Sequence, residues 1–574
     1  MKRFCKSAVL AVSAGALFLA QAQTFVRSNL AGYYPGAEKR IVVMSASDIS
    51  AKTWKITDDN GATVAEGNVG RSVAGKSEHS PFDFNYEVIF SNLDRKGNYN
   101  FVIDGETQPH SVRITDNPYQ EAISSSLRWI RAQRSGSKDV LDRKPSHFGD
   151  STAFVYYRSG NAKTDKWVED EEGRYLDLRG GWYVGGNYSK STSLIAYTTY
   201  FLLRAYNLAP ETFGKKYSKS SLVDILDEAK FGLEYLLRIM PNDVDFIINV
   251  GGYDSENGTR LPHENIFEGR RTAFSIYSTS DMGLSAAALA LGAATFKNID
   301  AAFAEKCKAK AIKMFDKAAS GKFSPQWLDR NGWTLYPNQS DKDDLLLAAS
   351  ELYSLTDNAD YLAKAKSFSD KLPPAYWAGW ETLNMHAQLL VADRHPSAKN
   401  TLTNELNSFR NNQKAKENIW NLPKGYTANG LYNYFVIGTS AGAYTNKFND
   451  KAFGSLTLDV LNYNYGLNNW GVSFTAIPSI KQSVTRFFTP MYKLQKRFFP
   501  EGATAIGPLD RATHYAQSRW ILDDVRVNYC YPFNTEAVVF LDHQEDYMSM
   551  DARPDGAASN IYLMTLANTI FGGK

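Results

Sequence analysis

Ser221-Leu-Val-Asp-Ile-Leu-Asp-Glu-Ala-Lys-Phe-Gly-Leu-Glu-Tyr-Leu-Leu-Arg-Ile-Met240 carries apolar side chains at Leu222, Ile225, Leu226, Ala229, Leu233, Leu236, Leu237 and Met240. That spacing follows the i, i+3, i+4, i+7 pattern of one helical face, and Ser221 stands where an N-cap belongs. The stretch reads as an amphipathic helix, and further helices are expected over 281–296, 301–319, 343–355, 361–372 and 383–392. Long connections bearing glycine and aromatic residues separate them, which predicts a helical toroid or solenoid. The small-residue run Ser285-Ala-Ala-Ala-Leu-Ala-Leu-Gly-Ala-Ala294 would let helices approach closely inside such a ring. A tetratricopeptide-like array competes for the paired helices from Asp343 to Leu372, but no repeat of about 34 residues recurs. In a toroid the long loops gather at one end and build a cleft, where function would sit.

Ahead of the helices the period changes. From Phe25 to Ile114 short alternating runs such as Arg40-Ile-Val-Val-Met44, Tyr86-Glu-Val-Ile-Phe90 and Tyr99-Asn-Phe-Val-Ile103 lie between the turn signals Asp58-Asp-Asn-Gly61, Arg95-Lys-Gly97 and Asp104-Gly105. Strands at that spacing predict a β-sandwich of about 90 residues. The chain starts Met-Lys-Arg-Phe-Cys-Lys, continues with an apolar run from Ala8 to Ala20, and offers Ala20-Gln21-Ala22 as a small-residue cleavage site. This is the pattern of a secretory signal peptide, because about 13 apolar residues are too few for a bilayer core that needs roughly 20. The expected divisions are a signal at 1–22, a sandwich at 23–115 and a helical domain at 116–574. The expected destination is outside the cytoplasm: medium, periplasm or cell surface. No later stretch is long and apolar enough to span a membrane.

Removal of Lys2, Arg3 and Lys6 with the signal leaves 61 basic against 61 acidic residues. That balance argues against nucleic acid, whose binding depends on neutralising phosphates. Aromatic residues make up 13% of the chain, which suits both a large core and stacking on sugar rings. Cys307 and Cys530 remain after the signal and lack the close spacing of a zinc site. The acids of Asp341-Lys-Asp-Asp344 are compatible with structural calcium and equally with a solvated helix start; no catalytic metal or other cofactor is expected. The oligomeric state is not encoded in any of these features.

Several blocks, in order over nearly the whole mature chain, resemble glycoside hydrolase family 9, the cellulases and endoglucanases, with the immunoglobulin-like domain that often precedes them. They are Val26-Arg-Ser-Asn-Leu-Ala-Gly-Tyr-Tyr-Pro35, Phe90-Ser-Asn-Leu-Asp-Arg-Lys-Gly-Asn-Tyr99, Gln133-Arg-Ser-Gly136 and Asp177-Leu-Arg-Gly-Gly-Trp-Tyr183. Asp224–Leu237, Ser280–Ala290, Ala348–Tyr353, Asp459–Phe474 and Asn534-Thr-Glu536 follow as that family would have them. The resemblance implies an all-β immunoglobulin-like sandwich followed by an all-α (α/α)6 barrel, with inverting hydrolysis of β-1,4-glucan.

Inversion requires one carboxylate to take a proton from the attacking water and a carboxylic acid opposite to give one to the departing sugar oxygen. Glu536 matches the family's acid in position, although Thr535 stands between it and Asn534. The base loop departs from the family's Gly-Gly-Trp-Tyr-Asp-Ala-Gly-Asp. Here it reads Gly180-Gly-Trp-Tyr-Val-Gly-Gly-Asn187, with Val184 and Asn187 in place of both aspartates. An Asn amide can hold a water but has no usable basicity, and loss of a general base costs about 10²–10⁴-fold in rate. Asp177, Glu171 and Glu172 are the nearest carboxylates in sequence. After Phe474 the family commonly has a His and an Arg beside the cleavage point; between Thr475 and Phe499 there is no His, and Arg486 is the candidate donor fork. Trp182 and Tyr183, following a tight Gly-Gly turn, either meet a sugar face or pack beneath the loop. The lone His147 reads as structural. The alternative to a hydrolase is a carbohydrate-binding protein on a degenerate hydrolase scaffold, with Asn187 bonding a sugar hydroxyl where a base once stood; a purely structural role for the exported scaffold ranks last.

Overall fold

The computed structural model describes residues 24–573 except 106–107, 160–165, 187, 252–259, 265–270, 323–337, 339, 376, 496–497 and 525–527. The export segment 1–22 and Asn187 therefore lie outside the described residues.

The first seven strands form two antiparallel sheets. β1 (Thr24–Arg27), β2 (Arg40–Ser45) and β5 (Phe84–Ile89) pair in the order β1-β2-β5; β3 (Thr53–Asp58), β4 (Thr63–Asn68), β6 (Gly97–Ile103) and β7 (His110–Ile114) pair in the order β4-β3-β6-β7. Along β6 the alternation is direct: Tyr99, Phe101 and Ile103 are buried while Asn98 is exposed, so the inward set meets Ile41, Val43, Ile56 and Val112 in one apolar core. The β3–β4 turn closes because Asp58 Oδ1 accepts the amides of Asn60 and Ala62, each at 3.0 Å, and Gly61 takes φ +80°.

The rest is mostly helical, with one six-stranded sheet (Ala153–Ser159, Lys166–Glu169, Tyr175–Leu176, Lys190–Ser191, Ile247–Val250 and Thr272–Ser275) set among the connections between helices. In chain order the helices are α1 (Gln120–Ala132), α2 (Thr192–Leu208), α3 (Asp224–Arg238), α4 (Thr279–Phe296), α5 (Ala301–Ala319), α6 (Lys342–Thr356), α7 (Ala359–Lys371), α8 (Asn384–Val391), α9 (Pro396–Gln413), α10 (Gly430–Phe448) and α11 (Gly454–Asn464). Then come two short helices, α12 (Pro490–Leu494) and α14 (Tyr547–Met550), with α13 (Arg511–Asp524), kinked at Ser518, between them, before α15 (Pro554–Phe571). α2, α4, α6, α8, α10 and α15 pack one on the next and close into a ring, with α1, α3, α5, α7, α9 and α11 outside it. The sequence separates the two layers. α10 is buried at every residue from Gly430 to Thr445, and α4 runs Ala-Ala-Ala-Leu-Ala-Leu-Gly-Ala-Ala, whereas α3 and α5 carry charge along one face. A helix apolar all round belongs inside, an amphipathic one outside.

The first turns of successive inner helices touch. The Thr279 hydroxyl donates to Asp341 Oδ2 at 2.8 Å, Asp343 Oδ2 accepts the Leu383 amide at 2.7 Å, and Arg553 Nη1 donates to Asn429 Oδ1 at 3.0 Å. These N-termini thus share one end of the ring, and the long loops gather there. The sandwich packs on the barrel through buried polar contacts: Asn29 Nδ2 donates to Tyr119 Oη and to Asn462 Oδ1, each at 2.9 Å, and Trp420 Nε1 donates to the His79 carbonyl at 2.7 Å.

Ala301–Ala319 forms as the sequence predicts, and the other expected helices shift by a residue or two at their ends. The helix expected from Ser221 begins at Asp224 instead. Its carboxylate accepts the amides of Lys216, Tyr217 and Ser218, and this ties down the preceding turn. Cys307 and Cys530 are both buried and unpaired. The acids of 341–344 do begin a helix, but Asp341, Asp343 and Asp344 are buried rather than solvated. Among the described residues no group of three or more His, Cys, Asp or Glu side chains is arranged to hold a metal ion, and no helix is long and apolar enough to cross a membrane.

Candidate active site

The Gly-Gly-Trp-Tyr loop is held from below. The Ser135 amide donates to the Gly181 carbonyl at 2.9 Å, Tyr183 donates to Gln133 O at 3.0 Å, and Val184 donates to Ser189 O at 2.9 Å. Beneath the loop Lys190 Nζ sits 2.6 Å from Asp150 Oδ2, with neither side chain exposed, and Arg271 Nε lies 3.2 Å from Asp150 Oδ1. Burial pulls Lys190 down to about 8 despite Asp150. Burial pushes Asp150 the other way, but Arg271 and Lys190 outweigh it and hold the carboxyl below its usual range.

Trp182 and Tyr183, each 1% exposed, present no face to a ligand. Their packing reading holds and the sugar-contact reading does not. Trp182 Nε1 donates to Glu228 Oε2 at 3.1 Å beside the Arg131 and Arg134 guanidinium groups, and Tyr183 Oη bonds Ser146 Oγ at 2.8 Å and His147 Nδ1. His147 is thereby a buried buttress of the loop. Trp182→Ala is expected to cost about 3–5 kcal/mol of stability, because it empties a core site and leaves Glu228 short of a donor. Urea unfolding measures this; an unchanged midpoint with weakened glycan binding would restore the sugar-contact reading.

What faces the loop is a carboxylate that the sequence reading passed over. Asp551, three residues before α15, accepts the Gly186 amide at 3.1 Å and the Ala552 amide at 3.0 Å. It lies so close to Gly185 that a Cβ there, at φ +52°, would fall 2.2 Å from Asp551 Oδ1. The group is half-buried. Desolvation pushes its acid up to about 6, with Arg553 pulling down and Asp555 pushing up. Arg553 is itself clamped on Asp555 by two bonds of 3.1 Å, and its amide donates to Tyr432 Oη at 3.0 Å. Asp551 is legible only by position, as the acid just ahead of Pro554 at the start of the last inner helix.

The same end of the ring holds a further set of buried acids. Burial raises Asp281 to about 7 and Asp343 to about 6, and holds Asp344 well above its ordinary value. Asp344 and Gly283 pack so closely that a Cβ on the glycine would meet the Asp344 Cβ at 3.0 Å.

Of the sequence-predicted residues, Asn187 lies outside the described residues, and the others are placed as follows. Val184 is buried in the loop. Glu536 is exposed on the turn before the short strand Val538–Val539, which pairs with Leu509–Asp510, and makes no hydrogen bond or ion pair among the described residues. Its neighbour Thr535 instead bonds the sandwich, donating to Glu78 O at 3.0 Å. Arg486 is exposed and lines a 460 Å³ cavity between barrel and sandwich. Asp177 is paired with Arg179 at 2.6 Å, while Glu171 and Glu172 are exposed. Five of the eight exposed aromatic side chains among the described residues, Phe499, Tyr515, Tyr529, Tyr531 and Tyr547, fall between 499 and 547, and the four tyrosines have the amphipathic rings suited to sugars.

An α/α ring behind a seven-stranded sandwich, with a Gly-Gly-Trp-Tyr loop opposed by a carboxylate ahead of the last inner helix, is a glycosidase architecture. The chain belongs to glycosyl hydrolase family 9, whose family model matches residues 119–564; the model of the cellulase N-terminal Ig-like domain matches residues 21–108. Endoglucanase 4 of Bacillus sp. (strain KSM-522) is 26% identical over 302 residues, covering 49% of this chain and 42% of that protein. Endoglucanase D of Acetivibrio thermocellus is 22% identical over 380 residues, covering 64% of this chain and 58% of that protein. The chain thus spans about half the length of these curated relatives. The crystal structure of a metagenome-derived glycoside hydrolase family 9 endoglucanase superposes with a TM-score of 0.78 over 96% of this chain and 99% of that one, at 21% identity, and shows the shared fold.

Proposed function

We propose that this chain is exported and acts on β-1,4-glucan at the loop-bearing end of its barrel, as a slow inverting glycoside hydrolase whose proton donor is Asp551. The carrying observation is the Asp551 carboxyl, raised to about 6 and set against the Gly185-Gly186 segment. A donor must be protonated near the working pH and must reach the departing oxygen from a cleft. Asp551 is half-buried, raised by desolvation and set against the Gly185-Gly186 segment, whereas Glu536 is exposed and without a partner among the described residues, so the acid role is assigned to Asp551 in preference to Glu536. The endoglucanase names of the relatives support β-1,4-glucan as the substrate class.

Hydrolysis is slow in this account because neither Val184 nor Asn187 can accept the proton of the attacking water. Asn187 would hold that water by its amide without deprotonating it, so the water's proton passes to bulk solvent as its oxygen bonds the anomeric carbon and Asp551 protonates the departing oxygen. A second reading, a glucan-binding protein with no turnover, is favoured by the burial of Val184, which closes one of the two former carboxylate positions. The test compares wild type, Asp551→Asn and Glu536→Gln for reducing-sugar release and binding on soluble β-glucans. Residual turnover lost in Asp551→Asn and kept in Glu536→Gln supports the assignment. Loss in Glu536→Gln alone overturns it, and binding with no turnover in any of the three selects the second reading.

A further inference from the structure

Arg27, on β1 of the sandwich, lines the 460 Å³ cavity together with Lys481, Arg486, Tyr529 and Asp542 of the barrel. Its guanidinium is 8% exposed. Nε donates to the Asn469 carbonyl at 2.9 Å, Nη1 reaches Val26 O at 3.3 Å, and Nη2 has no hydrogen-bond partner. Its other contacts are with two rings, Phe533 at 4.6 Å from the guanidinium carbon on the barrel side and Phe25 at 5.5 Å on the sandwich side. Among the described residues no carboxylate lies within ion-pair distance of Arg27, Lys481 or Arg486. A buried cation left without a counter-charge is costly, and burial alone lowers Arg27 to about 9.

Among the described residues the one acid lining the cavity is already engaged. Asp542 Oδ1 accepts the Arg486 amide at 2.8 Å and Oδ2 accepts the Tyr529 hydroxyl at 2.8 Å. It is therefore an anchor for the cavity wall and not a partner for Arg27. Tyr529, held at its hydroxyl by that bond, leaves its ring 47% exposed beside the cavity. The volume falls within the range of small-ligand sites. The cavity thus combines an excess of positive charge with a fixed aromatic ring, and those two features together recognise a sugar that carries a carboxylate.

We propose that the seam between sandwich and barrel is a binding site for an anionic sugar, a hexuronate unit of a cell-wall glycan, with its carboxylate toward Arg486, Lys481 and Arg27 and its ring on Tyr529. The proposal rests on the glycan-acting reading for its ligand class. Through the site, acidic side groups or acidic neighbours of the main polysaccharide would hold the protein on its substrate.

Titration calorimetry tests it with a glucuronic-acid-bearing oligosaccharide, a galacturonate oligosaccharide and a neutral gluco-oligosaccharide. The proteins are wild type, Tyr529→Ala and the double variant Lys481→Ala/Arg486→Ala, whose changes are at exposed side chains. At least one acidic sugar is expected to bind wild type at least tenfold tighter than the neutral one, and the preferred acid tells the two sources apart. The double variant should lose that preference and its salt dependence, and Tyr529→Ala should weaken the acidic sugar at least tenfold. Equal affinity for acidic and neutral sugars, no acidic binding, or a preference unchanged in the variants would overturn the proposal. Neutral-glucan turnover lost in Asp551→Asn but retained in Lys481→Ala/Arg486→Ala would leave the main cleft's role standing even where the seam site fails.

Discussion

Asn187→Asp is expected to raise reducing-sugar release from soluble β-1,4-glucan by about 10²–10⁴-fold, the range that a general base contributes. The substitution returns a carboxylate to the second position of the loop, where the family resemblance puts an aspartate. The loop is already shaped to receive it, since the Ser135, Tyr183 and Val184 amides hold its backbone and Gly185-Gly186 pack on Asp551. In the proposed mechanism Asp551 supplies the acid. The same gain should vanish when Asp551→Asn is added, because the new base would then face a side chain that cannot donate. The gained activity should fall as pH rises past about 6, where Asp551 loses the proton it must give. A gain that survives Asp551→Asn would put the donor elsewhere, with Glu536 first in line.

Asp281→Asn is expected to remove much of a pH dependence of stability, and the sign follows from burial. Asp281 is 1% exposed, Oδ1 has no partner, and among the described residues no cation pairs with it, so desolvation, opposed only by Ser278, lifts its acid to about 7. Unfolded, the group titrates near its ordinary value of about 4. Between roughly pH 4 and pH 7 the folded chain therefore holds the extra proton, so its stability is greatest below that window and is lost as pH rises through it, by on the order of 3–4 kcal/mol from this one site. Asp343 and Asp551, each raised to about 6, act in the same direction and remain in the variant. Urea midpoints at three pH values across the window should fall for wild type and fall less for Asp281→Asn. Parallel slopes would show that Asp281 keeps its charge when folded.

The fold was legible wherever pattern alone decides burial. Alternation in β6 and the one-sided helix at 301–319 read correctly because each element has a wet face and a dry one. α10 and α15 escaped as helices because an inner helix is apolar on every side and shows no period. The site was less legible. Trp182 and Tyr183 have the composition of a sugar platform, but the Glu228–Arg131–Arg134 cluster and the Ser146–His147 pair draw them inward, and none of those contacts is local in sequence. Asp551 sits 366 and 365 residues from the two glycines that it meets, so only the closing of α15 against α2 brings it to the loop. The absence of both loop aspartates was plain at once, since it depends on residue identity and not on packing.

Direct measurement of wild-type binding to soluble β-1,4-gluco-oligosaccharides, with reducing-sugar release followed in the same samples beside Asn187→Asp, tests the central claim most sharply. The account predicts that both proteins bind the oligosaccharide and that wild type turns it over at least about 100-fold more slowly, the minimum expected from a missing base. No binding by either protein, or equal turnover by both, would contradict it.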